Sequence, residues 1–338
     1  MTLPCLTSQG SYDIVIGRGV LHRAGSLLDL DRKVLVVTDD GVPAQYAEAV
    51  LHACKEGFRF VLPQGEASKN LDNWQALLAA MLDHGFTRGD AVVAVGGGMV
   101  GDLAGFAAAS YMRGITFYNI PTTLLSQLDS SIGGKTGVDF GGVKNIVGAF
   151  YQPDGVLVDP DCLKTLSPRQ LHEGLAEGIK MAATCDAELF RLIAGTDDLE
   201  RDLETIIVGG LRIKRDVVQA DTEEKGLRRV LNFGHTVGHA IEAASGGALF
   251  HGECVAAGMM YFCSEQARAA LKPVLEKYGL PTADPFDPDT LLSYILHDKK
   301  MGDGGEITCV RVDTIGSFAF ERLSPNAIRE HIQKIKCL

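Results

Sequence analysis

The sequence lacks several features that mark whole classes of protein. None of its eight cysteines forms a Cys-x-x-Cys pair, so neither a disulfide framework nor a thiolate zinc site is indicated. It has no run of about 18 uninterrupted apolar residues, which argues against a membrane partner or span. Its first ten residues lack a basic stretch followed by an apolar run, so we expect no signal peptide. We therefore expect a cytoplasmic protein with reduced thiols.

Positive charge is scarce relative to negative charge. The 338 residues carry 32 Lys and Arg against 43 Asp and Glu, a formal net charge of -11. A general nucleic-acid binder needs a basic face that replaces phosphate counterions, so we expect no nucleic-acid partner. Apolar residues make up 46% and charged residues 22%, as in ordinary globular proteins. At roughly 150 residues per domain, the length predicts about two domains.

The first half of the chain alternates short β-branched runs with helical patterns. Strands are predicted at residues 12–16 (as an edge strand), 34–37, 60–62, 91–95, 115–120 and 155–158, and helices at 44–54, 70–84 and 103–109. Continuous apolar strands separated by helices favour a largely parallel sheet that is covered on both faces.

The second half is mainly helical. Helices are predicted at residues 171–185, 199–220, 235–244, 255–271 and 291–299, followed by a hairpin at 307–312 and 317–320. The change in character near residues 159–162 predicts an N-terminal α/β domain over residues 1–160 and a mainly helical domain over residues 161–338.

A glycine-rich turn is the first candidate binding motif. Residues 96–101 (GGGMVG) follow a predicted strand, precede a helical pattern and fit G-x-G-x-x-G. Such glycines let backbone N–H groups approach a pyrophosphate at a helix N-terminus, but a purely structural turn explains them equally well. Ile120 and Pro121 stand where the standard scheme has an acidic residue. Asp39, which closes an earlier strand, is the alternative ribose contact.

Histidines form the second candidate. His235 and His239 would share one face of a helix, a common metal-binding arrangement, and His251 follows sixteen residues after His235. The glutamate of the metalloprotease pattern His-Glu-x-x-His is absent. Two interpretations stay open: a metal site, or a helix with hydrogen-bonded histidines.

Charged residues provide two weaker candidates. Glu173, Glu177 and Lys180 would share one helical face, for which an exposed ion-pair face is the ordinary explanation. Cations also recur at irregular spacing: Lys135, Lys144, Lys214, Arg228, Lys299 and Lys300. Each is explained singly as a solvated side chain, and together they suit a small, multiply anionic substrate. Asp129 replaces the first glycine of a phosphate loop ending at Lys135, so a nucleotide triphosphatase is disfavoured.

In chain order, these stretches closely resemble the 3-dehydroquinate synthase family of sugar-phosphate cyclases. The matching blocks are residues 64–69, 96–113, 121–125, 129–138, 144–153, 173–180, 226–242 and 251–253. The resemblance implies a Rossmann-like α/β N-terminal domain, a mainly α-helical C-terminal domain and an active site between them. It also implies a bound NAD and a divalent metal, usually zinc, with cobalt possible.

The resemblance assigns roles residue by residue. It implies that Glu177, His235 and His251 hold the metal and that His239 is an active-site histidine but not a ligand. The residues implied for NAD are Asp39, Glu66, Lys69, Gly97, Gly98, Gly101, Asp102, Thr122, Thr123, Asp129, Lys135, Lys144, Cys162, Leu163 and Thr165. Those implied for the substrate and catalysis are Arg113, Lys135, Asn145, Lys180, Lys214, Arg228, Asn232, His239 and one of Lys299 or Lys300, here taken as Lys300. Arg113 matches an arginine that reaches a neighbouring subunit's site, which implies a homodimer.

The implied activity is the conversion of 3-deoxy-D-arabino-heptulosonate 7-phosphate into 3-dehydroquinate and phosphate. This phosphorus–oxygen lyase reaction belongs to the shikimate pathway, which leads to chorismate and the aromatic amino acids. It combines oxidation by NAD, phosphate elimination, reduction, ring opening and aldol closure. The alternatives are a sister cyclase of the 2-deoxy-scyllo-inosose or 2-epi-5-epi-valiolone synthase type, a metal-dependent polyol dehydrogenase, and a non-catalytic regulator that keeps the fold.

The cationic residues also raise an expectation about the substrate-free enzyme. A buried cation without a partner costs several kcal/mol. We therefore expect an empty site that is open or wet, and domains that close when the substrate binds.

Overall fold

The computed structural model describes residues 1–8, 10–298 and 305–336, and the chain divides into two compact units. The first unit comprises Met1–Ser167 and Lys214–Glu223, and the second comprises Pro168–Ile213 and Glu224–Leu338. The strands are β1 (Thr2–Thr7), β2 (Gly10–Ile16), β3 (Lys33–Asp39), β4 (Glu56–Leu62), β5 (Ala91–Gly96), β6 (Thr116–Pro121), β7 (Lys135–Phe140), β8 (Val143–Phe150), β9 (Gly155–Val158), β10 (Ile307–Arg311) and β11 (Ala319–Leu323). The helices are α1 (Ala24–Leu27), α2 (Ala44–Leu51), α3 (Leu71–Asp83), α4 (Gly98–Ser110), α5 (Pro168–Cys185), α6 (Ala187–Gly195), α7 (Leu199–Ala220), α8 (His235–Ser245), α9 (His251–Met259), α10 (Glu265–Lys277), α11 (Pro288–Asp298) and α12 (Pro325–Lys336).

The first unit is built on a seven-stranded sheet with the order β1-β2-β9-β6-β5-β3-β4. Only the pairing of β1 with β2 is antiparallel, and every other pairing in this sheet is parallel. The predicted largely parallel α/β sheet is therefore confirmed. Parallel strands need crossover connections, and α2, α3 and α4 supply them on the two faces.

Alternating side chains of the central strands enter two separate apolar cores. Val36 and Val93 face the cluster that contains residues of α1 and α2, whereas Leu35 and Val92 face the cluster that contains residues of α3 and α4. Both sets are almost completely buried. This double burial explains why these strands are continuously apolar in sequence instead of alternating with polar residues.

In the first unit, one prediction is wrong and one hairpin was missed. The strand at residues 12–16 is not an edge strand, because β1 pairs with β2 on its outer side. The hairpin of β7 and β8 was not predicted, since its glycines and lysines weaken the strand pattern. Gly141 and Gly142 form its turn with φ values of 61° and 80°, the left-handed conformation that tight hairpin turns favour.

The second unit is mainly helical, as predicted, with a small hairpin of β10 and β11. The single helix predicted at residues 255–271 is wrong, because α9 ends at Met259 and α10 begins at Glu265. Between them, the Val312 N–H donates to Phe262 O at 2.9 Å and the Ser264 N–H donates to Val312 O at 3.0 Å. Helices α6 and α12 were missed. Within the described residues, no helix is both long and apolar enough to cross a membrane.

Close backbone contacts set the positions of α8 and α9. A Cβ atom added at Gly258 of α9 would lie 2.0 Å from the carbonyl oxygen of Gly234, which immediately precedes α8. A Cβ at Gly252 would lie 1.8 Å from the carbonyl oxygen of Glu173 in α5. Only glycine allows these approaches, so the three helices depend on glycine for their packing.

The first testable prediction concerns this packing. We expect Gly258→Ala to lower the free energy of unfolding by about 3 kcal/mol or more, because backbone cannot move aside as a flexible side chain can. Gly195 ends α6 and has no atom within 4 Å of an added Cβ, so Gly195→Ala is the matched control. We expect the control to change stability by less than about 1 kcal/mol in urea denaturation. Equal effects of the two substitutions would contradict this account.

Candidate functional site

Three helices of the second unit bring one carboxylate and two imidazoles together. Glu177 lies in α5, while His235 and His251 are the first residues of α8 and α9. Glu177 Oε1 is 3.7 Å from Nε2 of His235 and 3.7 Å from Nε2 of His251. The residues implied as metal ligands therefore converge on one oxygen atom.

The other nitrogen of each ring is occupied. His235 Nδ1 lies 3.2 Å from the carbonyl oxygen of Phe233, which can only accept a hydrogen bond, so Nδ1 carries the proton. His251 Nδ1 lies 3.0 Å from Oε2 of Glu242. Both rings thus turn Nε2 towards Glu177. Metal-binding histidines typically have their second nitrogen held in this way.

The buried Glu177 oxygen indicates what the site binds. Glu177 is 1% exposed, and its Oε1 has no hydrogen-bond partner in the described structure. Leaving a buried carboxylate oxygen unsatisfied is costly, so such an atom points to a missing partner. In a tetrahedral zinc site the ligand atoms are about 3.4 Å apart, close to the separations observed here. The three donors therefore fit a divalent metal ion.

The electrostatics of the site agree with this fit. Burial alone would raise the pKa of Glu177, but the charges of Lys180 and His251 outweigh it and lower that pKa to about 2. Burial is the main cause, and the Lys180 charge the second, of a His235 pKa well below its usual range. For His251, interactions with Glu177 and Glu242 overcome burial and raise the pKa to about 10. Without a metal the carboxylate is ionised and His235 is neutral, whereas His251 carries a proton that it would release when a metal binds.

His239 lies beside the same site. The ring nitrogens of His235, His239 and His251 can all be chosen within 4.8 Å of one another. The His239 ring centroid is 5.2 Å from that of His235 and 5.7 Å from that of His251. The four-residue spacing in α8 therefore places His239 next to His235 and His251, the two histidines implied as ligands.

Lys180 is buried together with Glu177. It lies one helical turn further along α5, is 1% exposed, and its Nζ donates a hydrogen bond to Glu177 Oε2. The interpretation of this pair as an exposed ion-pair face is therefore wrong. The ammonium compensates the second carboxylate oxygen and leaves Oε1 to face the histidines.

The remaining residues implied for the substrate lie in both units. In the second unit, Arg228 is 2% exposed, and Asn232 Nδ2 donates to Glu224 Oε1 at 2.6 Å. In the first unit, Lys214 is 4% exposed and its Nζ lies 2.5 Å from Asp129 Oδ1. Lys180 and Lys214 are thus buried cations that carboxylates of their own units compensate, so their burial alone does not require an open or wet site.

The glycine-rich turn connects β5 to α4, as its motif predicts. A Cβ on Gly98 would lie 2.9 Å from Ser130 Oγ, one on Gly101 would lie 3.0 Å from Asn119 Nδ2, and one on Gly97 would lie 3.2 Å from Thr123 Cγ2. Packing within the protein therefore already favours glycine here. The turn also presents the N-terminus of a 13-residue helix, which is suited to an anion.

The same edge of the sheet collects three other residues implied for NAD. Asp39 ends β3, and Thr122 and Thr123 follow β6, at the carboxyl ends where α/β sheets bind ligands. Asp39 Oδ1 accepts hydrogen bonds from the N–H groups of Gly41 at 2.8 Å and Val42 at 3.1 Å. Burial raises the pKa of Asp39.

Lys69 joins residues implied for NAD to a residue implied for the substrate. Its Nζ donates to Asp102 Oδ2 at 2.6 Å and also to Asn145 Oδ1. Asn145 adopts a left-handed conformation with φ of 54°, and its N–H donates to Asp139 Oδ1 at 2.7 Å. Lys69 is 4% exposed, so these hydrogen bonds are shielded from solvent.

The remaining residues implied for NAD or the substrate differ in how exposed they are. Glu66 lies 3.8 Å from Lys69 Nζ. Cys162 and Leu163 are buried in a short turn of 3-10 helix that ends at Thr165, and burial raises the pKa of the Cys162 thiol to about 12. Lys135 and Lys144 lie in the exposed hairpin of β7 and β8, and Arg113 is exposed before β6. Lys299 and Lys300 lie outside the described residues.

Comparisons with known proteins identify the family of this chain. The family described as 3-dehydroquinate synthase N-terminal matches residues 59–173, and 3-dehydroquinate synthase C-terminal matches residues 174–301. The chain belongs to the 3-dehydroquinate synthase family. The 3-dehydroquinate synthase of Streptococcus suis is 43% identical over 347 residues, covering 95% of this chain and 97% of the relative. That of Enterococcus faecalis is 42% identical and covers 96% of each chain.

Solved structures share the fold of this 3-dehydroquinate synthase family member. A 2-deoxy-scyllo-inosose synthase complexed with carbaglucose-6-phosphate, NAD+ and Co2+ has a TM-score of 0.87 at 28% identity and covers 99% of each chain. A 2-epi-5-epi-valiolone synthase from Streptomyces hygroscopicus with NAD+ and Zn2+ has a TM-score of 0.86 at 28% identity and covers 96% of each chain. An NADH-dependent butanol dehydrogenase from Thermotoga maritima, at 17% identity and a TM-score of 0.63, shares the fold alone.

The second testable prediction concerns the buried ion pair. We expect Lys180→Met to destabilise the metal-free protein by about 3–5 kcal/mol, because it strands a buried carboxylate without its counter-charge. Lys272, which is half exposed and 3.9 Å from Glu276, provides the control Lys272→Met with an expected change below about 1 kcal/mol. Chemical denaturation after chelation measures both. A Lys180→Met protein as stable as the control would contradict the prediction.

The ion pair of Glu177 and Lys180 should also affect how the stability of the protein depends on pH. The folded-state pKa of Glu177 is about 2, below its ordinary value of 4.5, so its stabilising effect is complete above about pH 4.5 and is lost as the pH falls towards 2. Removing the Lys180 charge removes the main cause of the lowered pKa. We expect the loss of stability between these pH values to become shallower in Lys180→Met than in wild type.

Proposed function

We propose that this protein converts 3-deoxy-D-arabino-heptulosonate 7-phosphate into 3-dehydroquinate and phosphate, as a phosphorus–oxygen lyase of aromatic amino-acid biosynthesis. The observation that carries the proposal is the buried, unpartnered Glu177 Oε1 facing Nε2 of two histidines, in a chain of this family. When bound, NAD+ accepts and returns a hydride, and a zinc or cobalt ion acts as a Lewis acid towards substrate hydroxyls.

We assign the metal ligands to Glu177, His235 and His251. Three protein ligands leave positions open for substrate oxygens, as catalytic metal sites require and closed structural sites do not. Lys180 keeps Glu177 ionised through the buried pair described above. His239, adjacent to the ligands, is placed to hydrogen-bond a hydroxyl of the bound substrate.

The first unit supplies the groups proposed for NAD. The turn at Gly97 and Gly98 offers backbone N–H groups for the pyrophosphate, and Asp39, Thr122 and Thr123 share the carboxyl edge of the sheet. Lys69 and Asp102, which bind each other, extend this set. The other residues proposed for NAD are Glu66, Gly101, Asp129, Lys135, Lys144 and the turn containing Cys162, Leu163 and Thr165.

Cationic and amide groups suit the two anionic ends of the substrate. We propose that Lys135, Asn145, Lys300 and the partner's arginine bind the phosphate, while Lys214, Arg228 and Asn232 bind the carboxylate and ring hydroxyls. Arginine and lysine form strong, charge-assisted bonds to such oxygens. In Asn145 the backbone and side chain are already fixed by Asp139 and Lys69, so little entropy is lost when the amide binds.

Two alternatives are separated by the comparisons. The sister cyclases are close in structure, but their sequence identity is 28%, against 43% for a curated 3-dehydroquinate synthase. A polyol dehydrogenase shares the fold but does not need residues that bind a phosphate group. A dehydrogenase would accumulate NADH, whereas the proposed reaction returns the hydride and accumulates none.

The third testable prediction addresses the reaction and the metal ligands together. With zinc and NAD present, wild type should release phosphate from the heptulosonate phosphate and form dehydroquinate. Glu177→Gln should lose at least about 100-fold of this rate, because the neutral amide is a poor ligand. Glu188→Gln, at an exposed position of α6, is the matched control and should keep wild-type activity.

The outcomes distinguish the assignments. Full activity of Glu177→Gln at low zinc would refute Glu177 as a ligand while leaving the reaction intact. A wild type that is inactive on the heptulosonate phosphate but releases phosphate from a non-carboxylated sugar phosphate would be a sister cyclase instead.

We also propose a homodimer in which Arg113 reaches the partner's site. Met112 and Arg113 are exposed and left-handed, with φ values of 50° and 68°, a strained arrangement of the kind found at functional sites. Close by, the hydroxyl of Tyr151, the residue after β8, donates to Ile115 O at 2.7 Å. Exposed apolar side chains of the β7–β8 hairpin offer a surface for a second copy: Phe140, Val143, Ile146 and Phe150.

The fourth testable prediction uses subunit complementation. Arg113→Ala and Glu177→Gln should each be nearly inactive alone. A co-expressed heterodimer, purified through two different tags, should regain up to about half of wild-type activity, because one of its two symmetric sites is intact. An inactive heterodimer, or a wild type that light scattering shows to be monomeric, would refute the shared site.

The proposal extends to compartment and domain organisation. No disulfide bond joins the seven cysteines within the described ranges, which supports a cytoplasmic location. We retain an NAD-binding domain over residues 1–160 and a metal- and substrate-binding domain over residues 161–338, with Lys214–Glu223 grouping with the first unit.

A further inference from the structure

A carboxylate outside the proposed ligand set lies against one of the ligands. Glu242 Oε2 is 3.0 Å from Nδ1 of His251, on the opposite side of the ring from the nitrogen that faces Glu177. Glu242 follows His235 by seven residues and His239 by three, so all three share one face of α8. Its side chain is 18% exposed, and the contact is therefore partly shielded from water.

The two histidine ligands are held in different ways. His235 Nδ1 bonds to the carbonyl oxygen of Phe233, a backbone group two residues away that leaves little freedom to the ring. His251 begins a different helix, and among the described residues its Nδ1 contacts the Glu242 side chain from α8 instead of a backbone group. Because χ2 of histidine is broad, an unrestrained ring would spend part of its time with Nε2 turned away from Glu177.

We infer that Glu242 is a positioning residue that holds the His251 ring in its metal-binding orientation. This inference rests on the proposed ligand set of Glu177, His235 and His251. Carboxylates that accept the second N–H of a histidine ligand fix its tautomer and make the other nitrogen more basic, and their loss typically lowers metal affinity 10–100-fold.

The backbone at His251 is anchored independently of Glu242. Glu253 Oε2 accepts the Phe250 N–H at 2.8 Å at the start of α9, and both oxygens of Glu253 bond to Arg169 at 2.7 Å. Substitution of Glu242 should therefore release the ring of His251 without displacing the helix. This separation makes the role testable in folded protein.

The fifth testable prediction is a change in metal affinity measured without catalysis. Metal-free protein competes with a chromogenic chelator for zinc at fixed pH. We expect Glu242→Ala to weaken zinc binding 10–100-fold, and Glu242→Gln to weaken it less because its amide oxygen still accepts the His251 N–H. Glu276→Gln, which removes an exposed carboxylate of α10, should bind zinc like wild type. Thermal unfolding of the metal-free variants checks that each is folded.

Two reference variants separate failure of this inference from failure of the proposed site. If His251→Ala and Glu177→Gln lose zinc affinity while both Glu242 variants stay within twofold of wild type, the ligand set stands and the positioning role is refuted. If His251→Ala and Glu177→Gln bind zinc normally, the proposed site itself is wrong. Weaker binding in Glu242→Ala, partly restored in Glu242→Gln, supports the inference.

Discussion

The burial of one charged carboxylate is the constraint on which the site depends. Glu177 is almost inaccessible to solvent, and an ionised group in such a place is tolerated only when opposite charges and donors surround it. Lys180 meets one of its oxygens and the imidazoles of His235 and His251 face the other. Its Oε1 has no hydrogen-bond partner among the described residues, so the ion pair with Lys180 and the proposed metal site share one side chain.

This constraint explains the tight helix packing of the second unit. The rings reach Glu177 only because α8 and α9 approach each other and α5 through backbone contacts at Gly234, Gly252 and Gly258. A Cβ atom at any of these positions would clash with backbone of a neighbouring segment, so the helices would have to move apart. These three glycines therefore help to set the distances among Glu177, His235 and His251.

The first unit instead gathers the residues proposed for NAD at one edge of its sheet. Parallel strands buried on both faces leave only their ends available for function. Lys69 links Asn145 of the β7–β8 hairpin to Asp102, which directly follows the glycine-rich turn. Groups proposed for the cofactor and for the substrate are thereby held in one hydrogen-bonded network.

Local patterns in the sequence determined the parallel α/β sheet, the helical second half, the glycine-rich turn and the family, since these depend on neighbours in the chain. They could not distinguish an exposed ion-pair face from the buried pair of Glu177 and Lys180, because both have the same helical spacing. They also gave no role to Glu242, although its seven-residue spacing from His235 was visible. Only the tertiary structure decided which side chains are buried and which atoms meet across α5, α8 and α9. The physical reason is that packing between distant parts of the chain sets which polar atoms lose water.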